Sequence, residues 1–268
     1  MDPIDDALSR DDISRDDTVS HDGTVPHDDH VPRKVEIHHD HRNVTGGWLR
    51  PAVFGAMDGL VSNFALMAGV AGGVSASQVD LGIVTLSGFA GLAAGAFSMA
   101  AGEYTSVASQ AELAMAEIEI ERRELALRPD AEAAELVELY VTRGVPRPLA
   151  VKVVEEINKD PERALEIHTR EELGIDPDDL PSPWVAAGSS FLAFAVGAFV
   201  PLLPYLLGTT SIVWSLVLSM IGLFACGAAV SRITSQSWWY GGLRQVLIGG
   251  AAAGLTYLLG SVIGTGLG

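Results

Sequence analysis

The chain has a single cysteine among its 268 residues, Cys226, set in an apolar run. A lone thiol excludes a disulfide framework and a zinc ribbon, which need paired cysteines, and in apolar surroundings it reads as an inert packing group. Aromatic residues make up only 7% of the chain. No apolar stretch precedes Trp48, and the chain opens with Asp and Ser where a secretory leader would be basic, so no signal peptide is expected. Basic residues are scarce and confined. None of the 17 Lys/Arg falls in 74–80, in 208–210 or after Arg244.

What is abundant is apolar and acidic material, kept apart. Hydrophobic residues reach 48%, yet the formal charge is -17. Residues 1–45 hold 12 Asp/Glu against 5 Lys/Arg, residues 104–183 hold 19 against 9, and the remainder balances at 3 and 3. Five runs are long enough to cross a bilayer, which takes about 20 apolar residues in a helix: 50–73, 81–103, 184–207, 211–231 and 244–267. Because cytoplasmic segments carry the excess Lys/Arg, the tail and 104–183 are expected to be cytoplasmic and the C-terminus outside. Trp48, Trp184 and the Trp238-Trp239-Tyr240 cluster sit near the cytoplasmic span ends, as an aromatic belt does. Residues 1–45 have the composition of a disordered tail. Their six histidines, interleaved with Asp, form a tract of a kind that sometimes captures metal loosely.

Two carboxylates break the apolar pattern. Asp58 interrupts the first run and Glu103 closes the second. A carboxylate at a helix centre costs roughly 2.5–3.5 kcal/mol on insertion scales, so it marks an ion or proton path unless a partner accounts for it. Ser62 and Asn63 are candidates for such a partner. Met57, Met67 and Met99 add thioethers, and sulfur with carboxylate suits a borderline transition metal, although each Met also serves as a core filler. Small residues four apart, Gly55/Gly59, Gly91/Gly95, Gly250/Gly254 and Gly260/Gly264, predict close helix packing. Pro201 and Pro204 predict a kink in the third span.

Breakers divide 104–183 into a helix continuing to Leu127, a second to about Arg143, and further helices near 149–158 and 161–173. Glu117, Glu121 and Glu124 share one helical face, and Glu132 and Glu135 share another. His168 and Glu172 are at i, i+4, where two side chains reach one ion. The pattern fits a cation site or a solvated charged face with Arg122 and Arg123 as counter-charges. With an ordinary pKa near 6.5, His168 would govern any pH dependence between about 5.5 and 7.5, since ordinary carboxylates titrate near 4.

Met57-Asp58-Gly59-Leu60-Val61-Ser62, 64–72 and 95–104 resemble the first two helices of the vacuolar iron transporter family, over about residue 46 to the end. The resemblance implies an all-α membrane protein of five transmembrane helices, with a helical cytoplasmic metal-binding module (104–183) between helices 2 and 3. Residues 46–103 would carry helices 1 and 2, and 184–268 helices 3 to 5. It also implies a homodimer in the lipid bilayer, with the ion path between the two copies of the first helix pair, exchanging Fe²⁺ or Mn²⁺ for protons. Asp58 matches the family's intramembrane Asp and Met99 its second-helix Met. Glu121, Glu124, Glu132 and Glu135 reproduce a four-Glu spacing of 3, 8 and 3, and Glu172 matches a later Glu.

Departures fall at Gly91, Gly47 and the pair His168-Thr169, where eukaryotic members carry Glu, Glu and paired Met. They shift the ligand set from thioether towards imidazole and leave Glu103 to stand in for the second-helix Glu. The expected function is export of a divalent transition metal across the plasma membrane by proton antiport. The path would use Asp58, Met99 and Glu103, and the module's ligands would come from Glu117, Glu121, Glu124, Glu132, Glu135, His168 and Glu172. The alternative is a membrane-anchored metal-sequestering or metal-sensing protein. An enzyme is not expected: a di-iron oxidase needs Glu-x-x-His pairs, and Leu165 stands three before His168.

Overall fold

The computed structural model describes residues 47–74, 81–209, 211–233 and 236–267. Expectations for the acidic tail and for residues 75–80 of the 74–80 loop lie outside these residues. The chain forms α1 (Leu49–Gly73), α2 (Leu81–Leu127), α3 (Pro129–Thr142), α4 (Arg147–Ile157), α5 (Pro161–Glu171), α6 (Pro183–Phe199), α7 (Leu203–Leu206), α8 (Ile212–Ile233) and α9 (Trp238–Leu267). Five helical stretches, in α1, α2, α6–α7, α8 and α9, are long and apolar enough to cross a membrane.

The central helix is α1, packed most extensively against α6 and α9, while α2 leans on α6 and α8 pairs with α9. Backbone contact makes this possible. A Cβ at Gly59 would collide with the Phe194 carbonyl, and one at Gly197 with the Ala56 carbonyl, so α1 and α6 meet without side chains between them. Gly260 meets Gly69 in the same way across α1 and α9. The Gly250/Gly254 pair differs: both positions open onto free space and contribute nothing to packing within the chain.

The third span breaks where its prolines fall. Pro201 cannot donate to Gly197, nor Pro204 to Val200, and the chain passes through a 3₁₀ turn at Val200–Leu202. The N–H groups of Val200 and Leu203 take over as i, i+3 donors to those two carbonyls. Ser215 of α8 donates to the Pro201 carbonyl at 2.7 Å, tying the break to a neighbour.

One helix start departs from the sequence expectation, and one expected continuation is present in full. The fifth span starts at Trp238 and not at 244, because Arg244 lies close enough to the helix end to extend its charge towards the interface without ending the helix. And α2 is one helix of 47 residues, about 70 Å long, against a hydrocarbon core of about 30 Å. Its far end joins α3, α4 and α5, which enclose a small core of Leu136, Val137, Ala150, Val154, Ile157 and Ala164.

Candidate metal centre

Local rules place the acidic residues of this helical unit. Pro161 opens α5 behind Asp160, whose side chain accepts from the N–H groups of Glu162 and Arg163 at 3.1 and 3.4 Å. At the other end Gly174 (φ +67°) turns the chain, and the Ile175 N–H closes onto the Thr169 carbonyl at 3.0 Å. His168 and Glu172 are thereby fixed in the last turn. Glu132 stands in the first turn of α3 and Glu121 in the last two turns of α2.

These four residues converge. One ligand atom from each of Glu121, Glu132, His168 and Glu172 lies within 4.8 Å of the others. His168 is fully buried, and Glu121 and Glu132 are each 8% exposed. His168 Nδ1 and Glu172 Oε1 lie 2.9 Å apart in a hydrogen bond. Glu121 Oε1 is 3.4 Å from the same nitrogen but receives no hydrogen bond, since Nδ1 holds at most one proton and Glu172 takes up its one bond. His168 Nε2 is likewise buried without a partner.

Such crowding is electrostatically unfavourable without a cation. Burial, then the charges of Glu121, Glu135 and Glu132, push Glu172 up to about 7. Burial and neighbouring carboxylates raise Glu121 and Glu132 too, while burial lowers His168. A carboxylate whose pKa is raised on folding takes up protons there, so the metal-free fold loses stability as pH rises from the ordinary carboxylate range through about 7. A first-row divalent ion with ligand bonds of about 2.1 Å spans about 4.2 Å between opposite ligands. Ligand atoms as much as 4.8 Å apart would close by at least about 0.6 Å to share such an ion.

The remaining acidic candidates stand apart from this group. Glu124 pairs with Arg128 at 3.3 Å, and Glu135 is exposed, yet both add charge to the cluster. Glu117 is half-buried and outside it. Arg122 and Arg123 both engage Glu119, at 3.1 and 3.2 Å, and so are not its counter-charges.

The membrane candidates meet in a second place. Asp58 from α1 and Met99 and Glu103 from α2 line one cavity of about 480 Å³, closed on one side by Phe194 of α6. Ser62 donates to the backbone carbonyl of Asp58 at 2.6 Å and leaves the carboxylate untouched. Asp58 is exposed in the single chain, and α2 beside it keeps only 17% of its apolar window buried, against 44% for α1.

Comparison with known proteins shows which family the chain belongs to. The chain is 31% identical over 230 residues to vacuolar iron transporter 1 of Arabidopsis thaliana, covering 84% of this chain and 90% of that one. It is 38% identical over 218 residues to the vacuolar iron transporter of Acanthamoeba castellanii, covering 78% and 76%. It is 32% identical over 224 residues to vacuolar iron transporter homolog 2 of Arabidopsis thaliana, covering 80% and 85%. Residues 49–261 match the VIT family, a span that includes both carboxylate sites and reaches into all five apolar helices, and this multi-pass membrane chain therefore belongs to that family.

Proposed function

We propose that the chain transports a divalent transition metal, Fe²⁺ or Mn²⁺, out of the cytoplasm in exchange for protons. The observation that carries this reading is the single cavity in which α1 and α2 bring Asp58, Met99 and Glu103 together. A carboxylate and a thioether suit a borderline ion, and a carboxylate at membrane depth has a function in binding or in proton exchange. Iron follows from the names of the relatives, and Mn²⁺ from the oxygen-rich ligand set. The unit 104–183 would be cytoplasmic, holding metal between Glu121, Glu132, His168 and Glu172 and releasing it near Glu103. The scarcity of Lys/Arg elsewhere supports that orientation.

A homodimer completes the picture. Asp58 and the bare face of α2 would otherwise meet lipid, and a second copy covering them turns an open groove into an enclosed path. The relatives are named for the vacuole; in a cell without one, the same orientation makes this a plasma-membrane exporter. A sequestering or sensing protein would need the cluster but no carboxylate in the membrane. The test is flux of Fe²⁺ and Mn²⁺ into proteoliposomes with and without a pH gradient. Gradient-dependent uptake is expected, and metal binding without uptake would favour the sequestering reading.

The pH dependence of binding follows from the cluster. A cation displaces the proton that Glu172 holds below about 7, so Mn²⁺ affinity of the full chain should fall as pH drops from about 8 to about 6. The group held to be responsible is Glu172, raised into that range, and not His168, which burial lowers from its ordinary value. Glu172→Gln should weaken binding and flatten the calorimetric pH profile, whereas His168→Ala should weaken binding and keep the slope. A slope lost only in His168→Ala would return the titration to the imidazole.

A further inference from the structure

The cavity between α1 and α2 holds one buried polar side chain that the path described above does not use. Asn63 is 1% exposed, and its Nδ2 donates to the Ala198 carbonyl at 2.6 Å. A carbonyl only accepts, so the amide nitrogen must face α6 and the amide oxygen must face away from that bond. That oxygen, Oδ1, is buried and takes no hydrogen bond among the described residues. Across from it lies Gly91 of α2, where a Cβ would come within 2.6 Å of Oδ1. Both residues line the cavity that contains Asp58 and Met99.

We infer that Asn63 Oδ1 is a ligand oxygen for the transported divalent cation at the inner end of this cavity, where only Gly91, which has no side chain, and Leu66 cover it and a small movement of α2 uncovers it. This rests on the cavity being the ion path. A buried acceptor without a donor is costly to leave unmade, and a passing cation satisfies it. Gly91 lies 12 residues along α2 from Glu103, about 18 Å deeper. Asn63 therefore acts after Asp58 and Met99 on the way out. A fixed carbonyl replaces one water of the ion's hydration shell without adding charge, so it helps the ion advance and still lets it leave. Being a hard oxygen, it suits Mn²⁺ and Fe²⁺ better than softer ions.

The test is Mn²⁺ uptake by the full chain in proteoliposomes, read as KM and maximal rate. Asn63→Ala should raise KM about tenfold, the worth of one charge-assisted contact. Gly91→Ala keeps the bond to Ala198 and sets a methyl against both Oδ1 and Leu66 Cδ2; it should raise KM similarly also in a Leu66→Ala background, where only Oδ1 is crowded, and that pair decides the matter if Asn63→Ala does not fold. Adding Gly91→Glu to Asn63→Ala returns an oxygen from the opposite helix and should bring KM back towards wild type, which a merely structural Asn63 would not permit. Wild-type KM in Gly91→Ala, or an Asn63→Ala defect that Gly91→Glu leaves in place, overturns the assignment. If Asp58→Asn stops uptake while the Asn63 and Gly91 variants keep wild-type KM, transport stands and Asn63 alone is removed. Absence of uptake in the wild type removes both.

Discussion

Asp58→Asn should stop proton-driven metal flux while leaving the protein folded and the cytoplasmic cluster able to bind. Asparagine fills nearly the same volume, so the packing of α1 against α6, set by Gly59 and Gly197, is unaffected. What is lost is the charge that holds the ion and the proton that replaces it. Removing one partner from a desolvated charge contact costs on the order of a hundredfold or more in binding. Among the described residues the carboxylates lining that cavity are Asp58 and Glu103, and Glu103 closes the apolar run of α2 where Asp58 interrupts that of α1. Flux in liposomes, with calorimetric binding as the control, checks this. Undiminished flux in Asp58→Asn would end the antiport reading.

The second large effect has opposite signs with and without metal. Glu121→Gln combined with Glu132→Gln removes two buried carboxylates that repel each other and Glu172. Without metal the double variant should therefore melt at a higher temperature than the wild type at pH 8. With Mn²⁺ or Fe²⁺ the order should reverse, because ligand stabilisation scales with affinity and the affinity should fall by on the order of a thousandfold. A thermal shift on adding metal that survives the double substitution would return the cluster to a charged surface. Glu117→Gln, outside the cluster, should leave the shift intact.

The helices could be read from sequence wherever composition and breakers coincide. Pro129, Pro161 and Pro183 each open a helix, and Gly144 and Gly174 follow helix ends with positive φ. The start of the fifth span could not, because a hydropathy run stops at Arg244 whereas a helix with a long basic side chain near its end does not. Among the acidic residues, periodicity groups Glu117, Glu121 and Glu124 on one face. Which of them turns inward depends on where α5 brings His168, a non-local fact. The upward shift of Glu172 and the downward shift of His168 were hidden for the same reason, since burial and like charge belong to the assembled site. Asn63 carried a faint signal as an amide in an apolar run, but the direction of its oxygen is set by Ala198, 135 residues away.

The uninterrupted α2 has a kinetic meaning. Glu103 and Glu121 are 18 residues apart on one helix, so the cluster is held about 27 Å from the cavity mouth. No tether holds an ion over that gap, so on the reading proposed above it crosses between the two sites by free diffusion. The rigid rod then fixes the length of that step.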